Sequence, residues 1–263
     1  MQPVRVMSFN VRYDTATDGL DNWAHRRRLV AATIRYHDPD IVGIQEAMAH
    51  QLRELEAMLD GYDWVGDARD TVAGGGEHTA VGYRRDRFEA DETDTFWLSE
   101  TPDEPGSVGW DGAHPRIATW VRLRAPDADE TVLVVNTHLD HRGERARREG
   151  IALVLDRLES LVGDAAVVLS GDFNCVVGDP AHQRAEGYPL PGDRRLRDAR
   201  ELAERRHGPT TTRTDFHDLL PDMGIDHVFV DDDTAVSAWS AVTDRDDDHY
   251  ASDHLPVVVD LQF

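Results

Sequence analysis

Residues Ala165–Asn174 read AAVVLSGDFN, and no other stretch constrains the chain as much. The five apolar residues Ala165–Leu169 fit a buried strand. The run stops at Ser170-Gly171, where a residue without Cβ lets the backbone turn tightly. Asp172 and Asn174 follow, one residue apart. If the extended backbone continues, both side chains leave on one face. A carboxylate and an amide at the mouth of a buried strand suit a grip on an anion, or on a water about to attack one. The same residues also fit a strand that ends in an Asx turn.

Taken in order, the chain repeats this layout. Val4–Val11 alternates as a strand and carries Asn10 near its end. Asn22–His37 has Leu29, Val30 and Ile34 at helical spacing, and Asp38-Pro39-Asp40 stops it. The short strand Ile41–Gln45 runs into Glu46, and His50–Leu59 reads as a helix. Asp67–His78 is a loop with Gly74-Gly75-Gly76 and Glu77; no phosphate-cradle pattern surrounds the glycines. Strands are expected at Thr79–Tyr83, Phe88–Leu98 and Ile117–Leu123, with the loop Thr101–Pro115 and then Arg116 before the last of these. Thr131–Asn136 is a strand leading to His138, and Gly143–Val162 is a long helix. Beyond the central element, Asp193–His207 reads as a helix and Gly208–Asp222 as a polar loop. Strands follow at Ile225–Val230, Ala235–Val242 and Leu255–Leu261, the last preceded by Ser252-Asp253-His254. Strands and helices alternate in both halves with no composition break. This points to two α/β halves sharing one core in a single domain, residues 1–263.

Asn10, Glu46, His138, Asp172, Asn174, Asp226, Asp253 and His254 all stand where apolar runs begin or end. Strand ends are where α/β folds gather their site residues. Any one of them reads as a turn former or a satisfied polar group; the full set, drawn from separate strands, calls for a common purpose. Carboxylates buried together repel unless a cation or hydrogen bonds offset them. Phosphoester hydrolysis uses such a set. Glu46 is a hard oxygen ligand for Mg²⁺ or Mn²⁺, which neutralises phosphate and leaving oxygen. His254 suits deprotonating water or holding phosphate, with Asp226 raising its basicity. Asp172 and Asn174 suit orienting the nucleophile, and His138 and Arg116 stabilising developing charge.

The motifs MSFNVR, GIQEA, GEHTAVGY, PRIATW, NTHLDH, SGDFN, GIDHVFV and SDHLPV, in that order, resemble the endonuclease/exonuclease/phosphatase superfamily. That superfamily includes pancreatic-type DNases, apurinic endonucleases, deadenylases, inositol polyphosphate 5-phosphatases and neutral sphingomyelinases. The resemblance implies an α/β fold built as a four-layer α/β/β/α sandwich, two packed mixed β-sheets flanked by helices. It implies a metal site at Glu46, Asn10 and Asp253, with Glu46 the direct ligand. By analogy Asp172 and Asn174 activate water and hold phosphate, and Asp226 pairs with His254. His138 matches the other family histidine, Glu77 the acid that can pair with it, and Arg116 a phosphate-contacting arginine. His227 follows the matched aspartate and is read as structural or peripheral. The implied activity is divalent-metal-dependent hydrolysis of a phosphodiester or phosphomonoester by in-line attack of an activated water. The alternative is a non-catalytic phosphate-binding protein on the same fold; the completeness of the set favours the enzyme.

Charge bears on the substrate. The chain has 51 acidic residues against 28 basic ones, a net charge of −23, and every basic residue is Arg. A nucleic-acid enzyme usually shows a basic face. The runs Arg26–Arg28, Arg145–Arg148 and Arg194–Arg197 are either local basic patches or solvated helix faces. Nucleic acid, lipid headgroup and small phosphoester all stay open. One cysteine, Cys175, excludes an intrachain disulfide framework and a Cys-based zinc site. No membrane span, secretory leader pattern or obligate protein partner is evident, so a cytoplasmic chain is expected. So acidic a surface repels itself at low salt, which points to salt adaptation, although a GC-rich genome also favours Arg over Lys. Under the first reading the melting temperature rises with salt; a fall in molar salt contradicts it.

Overall fold

The structure is a computed structural model that describes residues 2–70, 76–126 and 130–263. Gly74 and Gly75 of the triple-glycine run lie outside the described residues. Two mixed sheets stack face to face. Among the described residues one has seven strands, in the order Arg206–His207, Ala235–Ala241, Val257–Gln262, Val4–Asn10, Ile41–Ala47, His78–Arg84 and Tyr62–Val65. The other has six, in the order Glu89–Trp97, Ile117–Arg124, Thr131–His138, Ala166–Asp172, Asp226–Asp231 and Leu196–Asp198. Val4–Asn10 runs parallel to Ile41–Ala47, and Thr131–His138 parallel to Ala166–Asp172. Helices Trp23–His37 and Ala49–Met58 cover the first sheet, and Glu144–Val162 covers the second. This is the α/β/β/α sandwich that the sequence implies.

The two-residue period of a strand decides what reaches the site. In Val4–Asn10, Val4 and Val6 join the core between the sheets, while Met7 and Phe9 pack under the helices. Alternation therefore puts Ser8 and Asn10 on the inner face. The strand Thr131–His138 behaves alike, with Val132 and Val134 inside and Leu133 and Val135 outside, so Asn136 and His138 point inward. In Ala166–Asp172, Val168 is inside and Val167 and Leu169 are outside, which turns Ser170 and Asp172 inward. In Asp226–Asp231, Val228 and Val230 are inside, so Asp226 faces in while His227 and Phe229 face out. Each inner face passes from valine to polar side chains at the end that forms the site. At the polar level, Asn136 spans the gap between the sheets: Gln45 Nε2 donates to its Oδ1 (2.6 Å) and its Nδ2 donates to the carbonyls of Ile44 and Ala80.

Some expectations fail. Asp193–His207 is not a helix. It is a 3-10 turn at Pro191–Asp193, a strand at Leu196–Asp198, a single turn at Ala199–Leu202 and a strand at Arg206–His207. Leu196 and Asp198 are buried at period two, and Glu186 takes both the Asp198 N–H (2.7 Å) and Arg197 Nε (2.6 Å). Those tertiary bonds reward an extended chain where the local pattern favours a helix. The strand Tyr62–Val65 has no counterpart in the sequence reading. Among the described residues no helix is long and apolar enough to cross a membrane.

Gly171 sits within its strand at φ 153°, not in a turn, and an added Cβ would lie 2.0 Å from the Thr137 carbonyl oxygen of the adjacent strand. Gly171→Ala must push the two strands apart, and we expect a loss of at least about 2 kcal/mol, read from the urea midpoint. An unchanged midpoint would rule out this close approach.

Candidate active site

The inward-facing ends of these strands meet at one edge of the sandwich. Asn10 Nδ2 donates to Glu46 Oε1 and to Asp172 Oδ2, both at 3.0 Å. Glu46 needs a special backbone to get there. Alternation from Ile44 would send it outward, but the strand bulges between Ile44 and Ala47, and Glu46 takes φ 66°. Its second oxygen accepts from the Tyr13 N–H. Asn174 is left-handed as well, at φ 49°. The extended backbone assumed for Asp172 and Asn174 therefore ends between them. Asp172 Oδ1 accepts the Asn174 N–H (2.9 Å), and Asn174 Nδ2 reaches back to the Leu139 carbonyl.

Three imidazole and carboxylate contacts define the centre. His138 Nε2 lies 3.4 Å from Asp172 Oδ2, and His254 Nε2 lies 3.6 Å from the same oxygen. His254 Nδ1 is 2.9 Å from Asp226 Oδ2, which also accepts from Thr212 Oγ1. Ligand atoms of Glu46, His138 and Asp172 all lie within 4.8 Å of one another, as do those of Asp172, Asp226 and His254.

The cleft above them holds about 520 Å³. Glu46, Glu77, Arg116, His138, Asp172, Asn174 and His254 line it. Asn10, Asp226 and Asp253 stand behind, on Glu46, His254 and Arg213 respectively. Two expectations meet different surroundings. Glu77 is ion-paired with Arg69 at 2.6 Å rather than with His138, whose acidic neighbour is Asp172. Asp253 is taken up by Arg213 at 3.0 Å and faces Arg12 at 4.0 Å. Sequence reasoning missed Arg12, Tyr13, Arg69, His141, Arg142 and Arg213, which come from loops with no periodicity to place them.

The lining carries five arginines (Arg12, Arg69, Arg116, Arg142, Arg213) against the acids Glu46, Glu77 and Asp172. The site thus reverses the sign of the whole chain. Arg116 is 6% exposed; its Nη2 meets His141 Nδ1 at 3.0 Å, and its Nε stands 3.7 Å from Asp140. Neither its Nε nor its Nη1 has a hydrogen-bond partner among the described residues. The arginine runs noted in the sequence do other work. Arg26 is buried and donates to the carbonyls of Val11 and Ala251. Arg148 pairs with Glu149, and Arg194 bonds the carbonyls of Ala165 and Gly163.

Burial and neighbouring charge shift the protonation of the centre. Burial pushes Asp172 up to about 6, opposed by His254 and reinforced by Asp226. Burial and the charge of Glu46 push Glu77 up to about 7. Burial, then Arg116 and Arg69, hold His138 well below its usual value, so it is a neutral imidazole. Burial also opposes the charged form of His254, but Asp226 and Asp172 outweigh it and raise the group to about 9. One contact pulls the other way: Arg213 Nη1 lies 2.5 Å from His254 Nε2, which as an acceptor must be unprotonated. Asp226 is fully buried against Nδ1, whereas the Arg213 side chain is 25% exposed and has room to swing. We therefore take the imidazolium as the resting form.

Similarity to known proteins agrees with this geometry. A family model described as the endonuclease/exonuclease/phosphatase family matches residues 7–254. The endonuclease/exonuclease/phosphatase of Bacteroides vulgatus is 34% identical, superposes with a TM-score of 0.93 and covers 100% of both chains. The mannosyl-6-phosphatase of Bacteroides thetaiotaomicron is 35% identical with a TM-score of 0.91, over 99% of this chain and 100% of that one. Nocturnin of Drosophila melanogaster is 24% identical over 181 residues, 64% of this chain but 26% of that protein. The match therefore spans about a quarter of that relative's length.

The His254 pKa, about 9 when folded, lies above the roughly 6.5 of an unfolded chain. Its stabilisation is complete below about pH 6.5 and is lost as pH rises through about 9. In chelator, the wild type is expected to exceed His254→Gln in urea midpoint at pH 6.5, with the gap closing by about pH 9.5. A gap independent of pH contradicts the Asp226–imidazolium pair.

Proposed function

The chain belongs to the endonuclease/exonuclease/phosphatase family, and from that premise we propose that it is a divalent-metal-dependent phosphoesterase. It hydrolyses a phosphomonoester or phosphodiester by in-line attack of an activated water. The observation that carries this reading is Arg116. Its guanidinium is buried in the cleft wall with Nε and Nη1 unbonded among the described residues, the Asp140 carboxylate standing 3.7 Å from Nε, and a further anion at the cleft would offset the cost of burying that charge. A phosphate is such an anion, and a planar guanidinium binds its oxygens two at a time.

The donor set fits a hard cation. Glu46, fixed at the cleft by Asn10 and the Tyr13 N–H, would hold Mg²⁺ or Mn²⁺, which leaves Asp172 to the attacking water. Such an ion supplies neutralisation of charge on a phosphoryl oxygen and on the leaving oxygen. The protein's own groups do the rest. Asp172, raised towards neutrality and backed by Asn174, accepts a proton from the attacking water. His254, held as the imidazolium by Asp226, stabilises the charge that develops on the transferring group. His138, neutral, donates or accepts a hydrogen bond without adding charge. Arg116 orients the phosphate, and Arg69 and Arg142 extend the cationic wall.

A small polar phosphoester fits better than a polymer. Five arginines gather in a cleft of about 520 Å³, and Arg26 and Arg194 of the runs outside it are spent on structural bonds. The relative from Bacteroides thetaiotaomicron carries the name mannosyl-6-phosphatase, which places a hexose phosphate among the first substrates to try. Residues 1–263 are read as one catalytic unit, in a salt-adapted cytosolic setting.

Turnover of hexose 6-phosphates, bis(p-nitrophenyl) phosphate and DNA, with Mg²⁺ or with EDTA, tests the reading. EDTA should abolish the activity and Mg²⁺ or Mn²⁺ restore it. Glu46→Ala should lower kcat by about 10³-fold or more, and Arg116→Ala should lower kcat/KM by about 10²-fold. Activity that survives EDTA or Glu46→Ala contradicts the mechanism, and no turnover of any phosphoester favours a binding protein.

A further inference from the structure

Outside the cleft the molecule holds a second convergence of ligand-type side chains. His182 comes from the helix Pro180–Ala185, Asp198 from the end of the strand Leu196–Asp198, and His227 from the strand Asp226–Asp231. All three are buried, at 4%, 2% and 5% exposure. His227 is one residue from Asp226 but on the opposite face of the sheet, so it belongs to the helix-covered layer and not to the cleft.

We propose that His182, Asp198 and His227 form a structural site for a zinc-type cation, held by His182 Nε2, Asp198 Oδ2 and His227 Nδ1. Oδ2 lies 3.1 Å from His182 Nε2 and 3.6 Å from His227 Nδ1. Ligands about 2.1 Å from a tetrahedral ion stand about 3.4 Å apart, and the two distances bracket that edge. All three ligand atoms lie within 4.8 Å of one another.

The surroundings are those that a metal-binding imidazole needs. His227 Nε2 lies 2.9 Å from the Cys175 carbonyl, which can only accept, so Nε2 carries a proton and Nδ1, turned to Asp198, is the atom that a cation would take in place of a proton. Asp198 Oδ1 is occupied by the Arg200 N–H at 2.9 Å, which fixes the carboxylate and leaves Oδ2 to serve both rings. Phe173 and Phe229 pack against the histidines at ring distances of 5.3–5.4 Å and keep the layer apolar. A separate cleft of about 290 Å³ has Asp198 and His227 in its wall, giving an ion a way in and a water a place as fourth ligand. Two imidazoles and one carboxylate suit Zn²⁺ better than Mg²⁺. The ion would join three elements of the outer layer and steady the strand that presents Asp226 to His254. Nothing in it depends on the activity proposed for the cleft.

Zinc analysis and Co²⁺ titration of the full chain, in excess Mg²⁺, test it. The expected result is one equivalent of bound metal and the visible bands of four-coordinate Co²⁺. Both should persist in Glu46→Ala and disappear in His182→Gln and in His227→Gln, each checked for folding by circular dichroism. Zn²⁺ should also raise the melting temperature of Glu46→Ala by several degrees and leave folded His182→Gln unmoved. Absence of bound zinc and of cobalt bands in the unaltered protein overturns the site without recourse to any variant. Bands that vanish in Glu46→Ala, or survive His182→Gln, overturn it too, and leave the trio as a buried ion pair.

Discussion

Four carboxylates crowd one end of two packed sheets, and the rest of the structure answers to their mutual repulsion. Asp172, Asp226 and Asp253 are buried, with Glu46 half-buried beside them. Ionised carboxylates in such a place are tolerated only when cations and hydrogen bonds surround them. Each has its own partner: Asn10 between Glu46 and Asp172, Thr212 and His254 on Asp226, Arg213 on Asp253. The same set that balances the charges also orients them: both oxygens of Glu46 and both of Asp172 are engaged, which fixes the two carboxylates at the cleft wall. A structure without this end would be easier to stabilise, and the tension is what makes the end chemically useful.

Overall charge and site charge have opposite signs. The chain is acidic throughout, yet the cleft is walled by arginines, one of them buried with N–H groups unfilled. Net charge acts at distances that salt screens, whereas a desolvated guanidinium acts at contact. A protein can therefore be strongly anionic and still select an anion. The function we propose accordingly takes a ligand small enough to enter the cleft rather than a polymer that must first approach the outer surface.

Much of the site was legible in the chain because strands impose a period of two. Valines on the inner face at Val132 and Val134 place Asn136 and His138 inward, and Val168 does the same for Asp172. The legible part stops where the backbone leaves that period. Glu46 reaches the site through a bulge and a left-handed residue, and Asn174 is turned in the same way. Sequence likeness brought Glu46 into the candidate set, and the structure turns it to the cleft by a bulge where alternation from Ile44 would point it outward. Glu77 was legible as an acid near the site, but its partner, Arg69, is set by a loop.

The sequence by itself determined the alternation of elements and the identity of the polar strand ends, because those depend on residues close together in the chain; the sandwich was implied only by the resemblance that the ordered motifs carry. Tertiary structure alone decided the partners. It turned Asp193–His207 into strands and turns, since Glu186 rewarded an extended Asp198 more than a helix would have. It gave Asp253 to Arg213 and split Asp226 from His227 onto opposite faces, one towards the cleft and the other into the outer layer. Local propensity is settled within a few residues, but which charges meet is settled by packing between segments as distant as Asn10 and Asp172, and there the cost of an unpaired buried charge outweighs any local preference.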